Sequence, residues 1–397
     1  MSLAVEIEPT DDHAAIAPAD VVLVLGYTSW SGAVRRGWIH AEDRLTLALM
    51  RSPRVGRLLV CNPYRSALAK LVRTAVGPRD EAFPVTDRCR LHEPLRLRRQ
   101  DPTELGAIER SCAAYERSVR RQAARLGLER PAVITTHPLM AGFGRFDWAG
   151  PVTYYANDDL TAFPPLAPWW AAYDVAFARA RELGRRAVAL TPKSLRSVGA
   201  SGPSAVIPCG IEPEEWLEPG PPPAWFAALP RPRMLYVGTL DPRVELDMVA
   251  ATAAAHQEGS VTLVGPCPDP GHYEPLRAIP NVSVRPAVER AELPGLVAGA
   301  DVGLIPHVRS TQTEAMSPLK LYEYLAAGVP VASVSLPGTA SVCPERTAFA
   351  EGAADFAQAV EQALRMGPWP DADRRAFIAE NAWERRFELL LDVALGF

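Results

Sequence analysis

Nothing in this chain approaches the roughly 18 consecutive apolar residues of a membrane-spanning helix, so no such span is expected. Histidine and cysteine are scarce, at seven and six residues. The cysteines (Cys61, Cys89, Cys112, Cys209, Cys267 and Cys343) form no CxxC pair and no Cys/His cluster at zinc-ligand spacing. That argues against a metal site and against a disulfide framework, and leaves buried thiols in a reducing compartment. A GxGxxG turn followed by an acidic residue is also missing, which disfavours a dinucleotide-dependent dehydrogenase. The acidic, Ala- and Pro-containing start from Met1 to Asp20 does not read as a signal peptide. A cytoplasmic protein whose first ~18 residues are loosely ordered is expected.

What is present begins with proline: 39 of 397 residues is about twice the average usage of roughly 5%, so many loops should be short and stiff. A chain of this length exceeds what one hydrophobic core usually supports, which makes two domains the natural expectation. Charge divides with them. Residues 1–205 carry an excess of seven positive charges and residues 206–397 an excess of eleven negative ones. The basic half suits an acidic acceptor or peripheral contact with an anionic membrane, and equally a set of scattered surface arginines. No nucleic-acid partner is expected, and oligomeric state is not legible.

Short apolar runs bounded by turn residues recur along the first half: "DVVLVLG", "RLLVCNP", "AVITTHP", "VTYYANDD" and "AVALTP". A second series follows: "AVIPCGI", "RMLYVGTL", "SVTLVGP", "NVSVRP", "DVGLIP" and "VPVASVS". Separated by helical stretches, such runs predict buried parallel strands in βαβ units. One helix is plain from Pro102 onward, where Leu105, Ile108, Cys112, Tyr115, Val119 and Leu126 share a face while Arg110, Arg117, Arg120 and Arg121 occupy others. The proline-rich "EPGPPPAWFAALPRPR" reads as a surface loop without regular structure. The predicted fold is α/β: two Rossmann-like, doubly wound parallel sheets facing across a cleft. Residues 1–205 form the first domain, 206–375 the second, and 376–397 a closing helix.

The most informative stretch is "EAMSPLKLYEYLAAGVPVASVSLPG", Glu314 to Gly338. Ser317 and Pro318 read as an N-cap and first helical residue, and Gly328 as the glycine that ends the helix. The free amides at Leu319 and Lys320, the helix dipole and the Lys320 ammonium favour a diphosphate. Glu323, one turn further, suits a ribose diol. A plain surface Lys/Glu pair fits the same spacing.

These residues resemble a known family. "SPLKLYEYLAAGVPV" is similar to the donor-binding helix of glycosyltransferase family 4, in particular of bacterial members akin to the teichuronic acid biosynthesis glycosyltransferases. "IPCGIEPEEW", "LYVGTLDPRVELDMV", "GADVGLIP" and "AWERRFELLL" resemble, in order, other segments of that family. The resemblance implies the GT-B architecture and a UDP-, GDP- or dTDP-sugar as substrate, with no cofactor and no metal. It further implies retention of anomeric configuration, with the donor diphosphate itself helping to take the acceptor proton. The donor-side candidates are Gly238, Thr239, Arg243, Gly265, His307, Ser317, Pro318, Leu319, Lys320 and Glu323. Two departures stand out. The family usually has Glu where this chain has Ala315, and a diphosphate-gripping Arg/Lys pair where it has Thr239 and Val244. Arg243, the Thr239 hydroxyl, the Gly238 amide, His307 and Arg309 are the candidate replacements.

On the acceptor side, "GYTSWSG" brings Gly26, Trp30 and Gly32 to the end of the first strand, as an acceptor loop or a plain strand–helix turn. His137 ends another strand. Asn157, Asp158 and Asp159 follow a third, where a carboxylate can hold a hydroxyl acceptor or act as base; helix capping is the alternative. If Asp158 or Asp159 were essential, an inverting displacement would be the better account. The acceptor is expected to be a small natural product or a cell-envelope saccharide. A sugar-nucleotide 2-epimerase and a non-catalytic partner of the same fold are the alternative readings.

Overall fold

The computed structural model describes residues 17–67 and 82–396, so the loosely ordered start expected from the sequence lies almost wholly outside the described residues. The apolar runs of the first half become β1 (Ala19–Val24), β2 (Val55–Cys61), β6 (Ala132–Thr135), β7 (Val152–Ala156) and β8 (Arg186–Ala189). With β4 (Cys89–His92) and β9 (Ser204–Val206) they form a seven-stranded sheet of order β4-β2-β1-β6-β7-β8-β9. A two-stranded ribbon, β3 (Arg65–Ser66) and β5 (Leu95–Arg96), lies outside it. The second series gives β10 (Arg233–Val237), β11 (Ser260–Val264), β12 (Val282–Arg285), β13 (Val302–Ile305), β14 (Val331–Val334) and β15 (Thr347–Ala350). These pair in the order β12-β11-β10-β13-β14-β15. Every pairing in both sheets is parallel, as expected for strands buried on both faces.

Three expectations need correction. "AVIPCGI" does not open the second sheet: β9 pairs with β8 and completes the first. The proline-rich stretch is not merely a surface loop, because Ala224–Ala227 makes one helical turn that buries Phe226 completely. β4 and β15 were not anticipated, since "CRLH" and "TAFA" are too short and too mixed to stand out. The helix from Pro102 forms as Leu105–Arg125, with Arg110, Arg117, Arg120 and Arg121 exposed.

The last helix, Trp383–Leu395, runs back onto the first sheet. Arg54 holds it through Glu388 (3.0 Å) and Asp392 (2.8 Å), and Arg186 donates to the Val393 carbonyl at 2.6 Å. Its buried Phe387, Leu390 and Leu391 join Val21 and Leu23 of β1 and Leu321 and Leu325 of the second domain in one apolar cluster. The two sheets are thereby tied through a continuous core as well as through the linker. Among the described residues no helix is long and apolar enough to cross a membrane. All six cysteines are free; Cys61, Cys89, Cys112 and Cys209 are buried.

Candidate active site

Strand order locates the site. In each sheet the winding reverses once, between β1 and β6 and between β10 and β13. Chains leaving adjacent strands in opposite directions leave a crevice at the carboxyl ends, which is where open α/β sheets hold ligands. Gly26 and His137 follow β1 and β6, and Gly238 and His307 follow β10 and β13, so all four stand at these two reversals.

On the second sheet the centre is Lys320. Its helix spans Leu319–Ala326 with Pro318 as N-cap, one residue later than expected. Ser317 is not the cap: its hydroxyl accepts from the Cys209 amide at 3.3 Å and joins the linker to the helix start. Gly328 closes the helix at φ 77°, with the Val329 amide reaching back to the Tyr324 carbonyl, a turn that favours glycine. The first amides of the helix, at Leu319 and Lys320, have no carbonyl one turn earlier in it to bond. The Lys320 ammonium lies 2.9 Å from the Tyr236 hydroxyl, 3.2 Å from His307 Nε2, and over the Tyr236 ring at 4.1 Å. Gly238 makes room for it, since a Cβ there would fall 2.9 Å from Nζ. Gly265 backs onto Gly238 so closely that a Cβ would overlap the Gly238 carbonyl. Burial, reinforced by the Arg243 charge, lowers the Lys320 pKa to about 7.

The candidate replacements for the missing cations sort themselves by geometry. The Gly238 amide donates to the Val264 carbonyl and continues the β10–β11 ladder. Burial and the neighbouring Lys320 hold His307 well below the usual imidazole range, so it is neutral and supplies no charge. Arg309 pairs with Glu351 at 2.9 Å. Val244 is buried and bridges to His307; the Thr239 carbonyl accepts from Tyr236, and the Thr239 hydroxyl carries no charge. Arg243 remains, locked by the Asp241 carboxylate through Nε at 2.9 Å and Nη2 at 2.6 Å. Its charge acts across the cleft on Asp158.

Glu323 is buried and its carboxylate receives Arg290 Nη1 at 2.7 Å. Arg290 also binds Glu215; Glu215 and Glu212 in turn bind Arg44, at 2.5 and 2.9 Å. An alternating chain of charge therefore runs from the helix through the linker into the first domain. The sequence reading missed Arg290, Glu215 and Arg44, because pairs 33 and 75 residues apart leave no local pattern.

On the first sheet, Gly26 is forced: a Cβ would meet the Thr136 carbonyl at 2.9 Å. Its amide donates to Glu42 Oε1 at 3.1 Å and to Thr136 Oγ1 at 2.8 Å. Trp30 does not face the cleft; it is buried edge-on against Trp38 and Phe83. Gly32 lies in the following short helix, its amide capped by Ser29. Asn157 is half-buried at the end of β7. Asp159 is spent on capping, accepting from the Thr161 amide (3.1 Å) and hydroxyl (2.6 Å) and from Ser197 (3.0 Å). Asp158 instead opens onto the cleft, yet protein surrounds it on most sides, and that desolvation raises its pKa. His137 is neutral, its pKa lowered to about 4 by burial.

Glu42 was also missed. Burial raises its carboxyl to about 6, with the Thr136 and Gly26 hydrogen bonds partly opposing the shift. A carboxyl raised on folding adds stability below its unfolded pKa and loses it as pH rises through about 6. Glu42→Gln is therefore expected to melt near the wild type at about pH 4 and to be more stable by up to about 2 kcal/mol at about pH 8. Thermal unfolding of both proteins at the two pH values checks this.

Two parallel, doubly wound sheets with a crevice between them define the GT-B glycosyltransferase fold, and comparison with solved structures agrees. Sucrose-phosphate synthase from Thermosynechococcus elongatus superposes with a TM-score of 0.65 at 16% identity, over 94% of this chain and 97% of that one. The Anabaena protein HepE, solved in complex with UDP, superposes with a TM-score of 0.61 at 12% identity, over 95% and 100%. More specifically, residues 231–366, which hold Gly238, Arg243, Lys320 and Glu323, match the family model of glycosyl transferases group 1. TuaH of Bacillus subtilis (strain 168), a protein assigned by name to the teichuronic acid biosynthesis glycosyltransferases, is 31% identical over 134 residues. That match covers 32% of this chain and 34%, about a third, of the relative.

Proposed function

We propose that this protein transfers a sugar from a nucleoside-diphosphate sugar to a hydroxyl-bearing acceptor, with retention of configuration and without a metal ion. The observation that carries the proposal is the placement of Lys320. A cation at the first turn of a helix, facing a turn stripped of side chains at Gly238 and Gly265, is suited to a diphosphate. In the reaction the bond from the anomeric carbon to the diphosphate oxygen breaks, and a bond from the acceptor oxygen to that carbon forms. The acceptor proton passes to the departing diphosphate. Lys320, Arg243 and the helix amides stabilise the charge that grows on the leaving group, the role a metal ion plays elsewhere. Glu323 accepts from the ribose diol with the oxygen that Arg290 leaves open, and Asp158 and His137 border the acceptor. Two cations at the diphosphate position also support an enzyme over a non-catalytic partner of the same fold.

Mass spectrometry of the purified protein with a panel of UDP-, GDP- and dTDP-sugars tests this. Release of nucleoside diphosphate from one donor is expected, undiminished by excess chelator. Strict dependence on magnesium or manganese would count against the mechanism, and no turnover or binding of any donor would remove the proposal.

A further inference from the structure

Beside Gly26 and His137 the first domain forms a half-open cavity of about 290 Å³. This volume sits at the small end of ligand pockets, which run from roughly 300 to 1,000 Å³. Six rings face it: Tyr27, Tyr64, Tyr115, His137, Trp169 and Tyr173. Tyr64 and Tyr115 are stacked, with centroids 5.4 Å apart and planes at 13°. Tyr27 lies 6.0 Å from the His137 ring.

The polar groups of these walls are largely engaged already. The Tyr27 and Tyr173 hydroxyls bond each other at 2.7 Å. Tyr115 donates to the Asn62 carbonyl at 2.7 Å, and Trp169 Nε1 to the Pro102 carbonyl at 2.8 Å. Arg96 pairs with Asp101, and Arg65 donates to the Tyr27 carbonyl. His137 Nδ1, by contrast, is buried with no partner among the described residues.

A saccharide brings a hydroxyl on nearly every carbon, more than the Ser111 and Tyr64 hydroxyls on these walls can partner, and each one left over would lose water without gaining a bond. A planar aromatic ring needs only faces and edges to pack on, which the walls supply. Resting on the glycosyltransferase reading, we infer that this cavity is the acceptor pocket and that the acceptor is a hydroxylated aromatic compound of one or two fused rings. The phenolic oxygen bonds to the anomeric carbon, the bond to the diphosphate breaks, and the phenolic proton leaves with the diphosphate.

The test uses 2-naphthol and methyl glucoside as probes, titrated against the full-length protein without nucleotide and followed by tryptophan fluorescence and calorimetry. Saturable binding of 2-naphthol and none of methyl glucoside is expected. Ser111→Phe, which fills the cavity from a half-buried position on its wall, should abolish naphthol binding and leave UDP affinity unchanged. Tyr64→Ala should weaken naphthol binding about tenfold. With the accepted donor, a naphthyl glycoside should be the product found by mass spectrometry. Naphthol binding that survives in Ser111→Phe, or methyl glucoside binding that competes with naphthol, would overturn the inference. Failure of every nucleotide to bind would sink the transferase reading, while the nucleotide-free titrations would still decide the ligand class of the pocket.

Discussion

Lys320→Met is expected to cut kcat/KM for the donor by about 10²- to 10³-fold while raising the melting temperature of the nucleotide-free protein. The two effects share one cause. Although Lys320 keeps an opening onto the cleft, protein and the Arg243 guanidinium surround its ammonium, and its pKa falls from 10.5 to about 7. A lysine whose pKa is lowered on folding costs stability wherever the unfolded chain holds the extra proton. That cost is complete below about pH 7 and fades as pH rises toward the unfolded value. Removing the amine removes the cost. A diphosphate reverses the balance, because its negative charge favours the protonated amine, so binding takes up a proton whenever the free protein has lost it. UDP affinity in the wild type should then fall by about a decade per pH unit above about 7, and Lys320→Met should lose that slope. Calorimetry in buffers of different ionisation enthalpy measures the proton directly. An affinity independent of pH in the wild type would show that Lys320 does not meet the diphosphate.

Glu323→Ala should abolish measurable donor turnover, and it should also cost stability. The carboxylate is buried against Arg290, so its removal leaves that guanidinium with Glu215 as its remaining acid partner. Breaking a buried pair outright costs about 3–5 kcal/mol; with Glu215 retained, a loss of about 1–3 kcal/mol is expected. Glu323→Gln keeps the shape and one acceptor oxygen, so it should fold closer to the wild type and show its defect mainly as a donor KM raised about tenfold or more. Thermal unfolding beside steady-state kinetics separates the two effects. Unchanged kinetics in Glu323→Ala would remove the ribose contact from the mechanism.

The proposed donor site was the more legible because its residues are local in the chain. Lys320 and Glu323 sit three residues apart on one helix, and the proline and glycine that bound the helix can be read in order. The proposed acceptor pocket is assembled from residues far apart in the chain. Tyr27 follows β1 while Tyr115 and Tyr173 lie within two different helices, and nothing in their separate surroundings marks them as facing one cavity. The paired acids at 158 and 159 show the same limit. Strand alternation indicates that only one can face the cleft, but the choice depends on Thr161 and Ser197, which occupy Asp159 and leave Asp158 open.

By itself the sequence determined the strands, the parallel sheets and the start of the helix that carries Lys320, because hydrophobic period and turn chemistry act over a few residues. Tertiary structure alone decided that Arg243 is the arginine beside Lys320, which carboxylate faces the cleft, and that Glu323 ends a line of ion pairs reaching Arg44. Those outcomes depend on burial and on partners brought together by folding, and desolvation is a property of the assembled interior that no single segment carries.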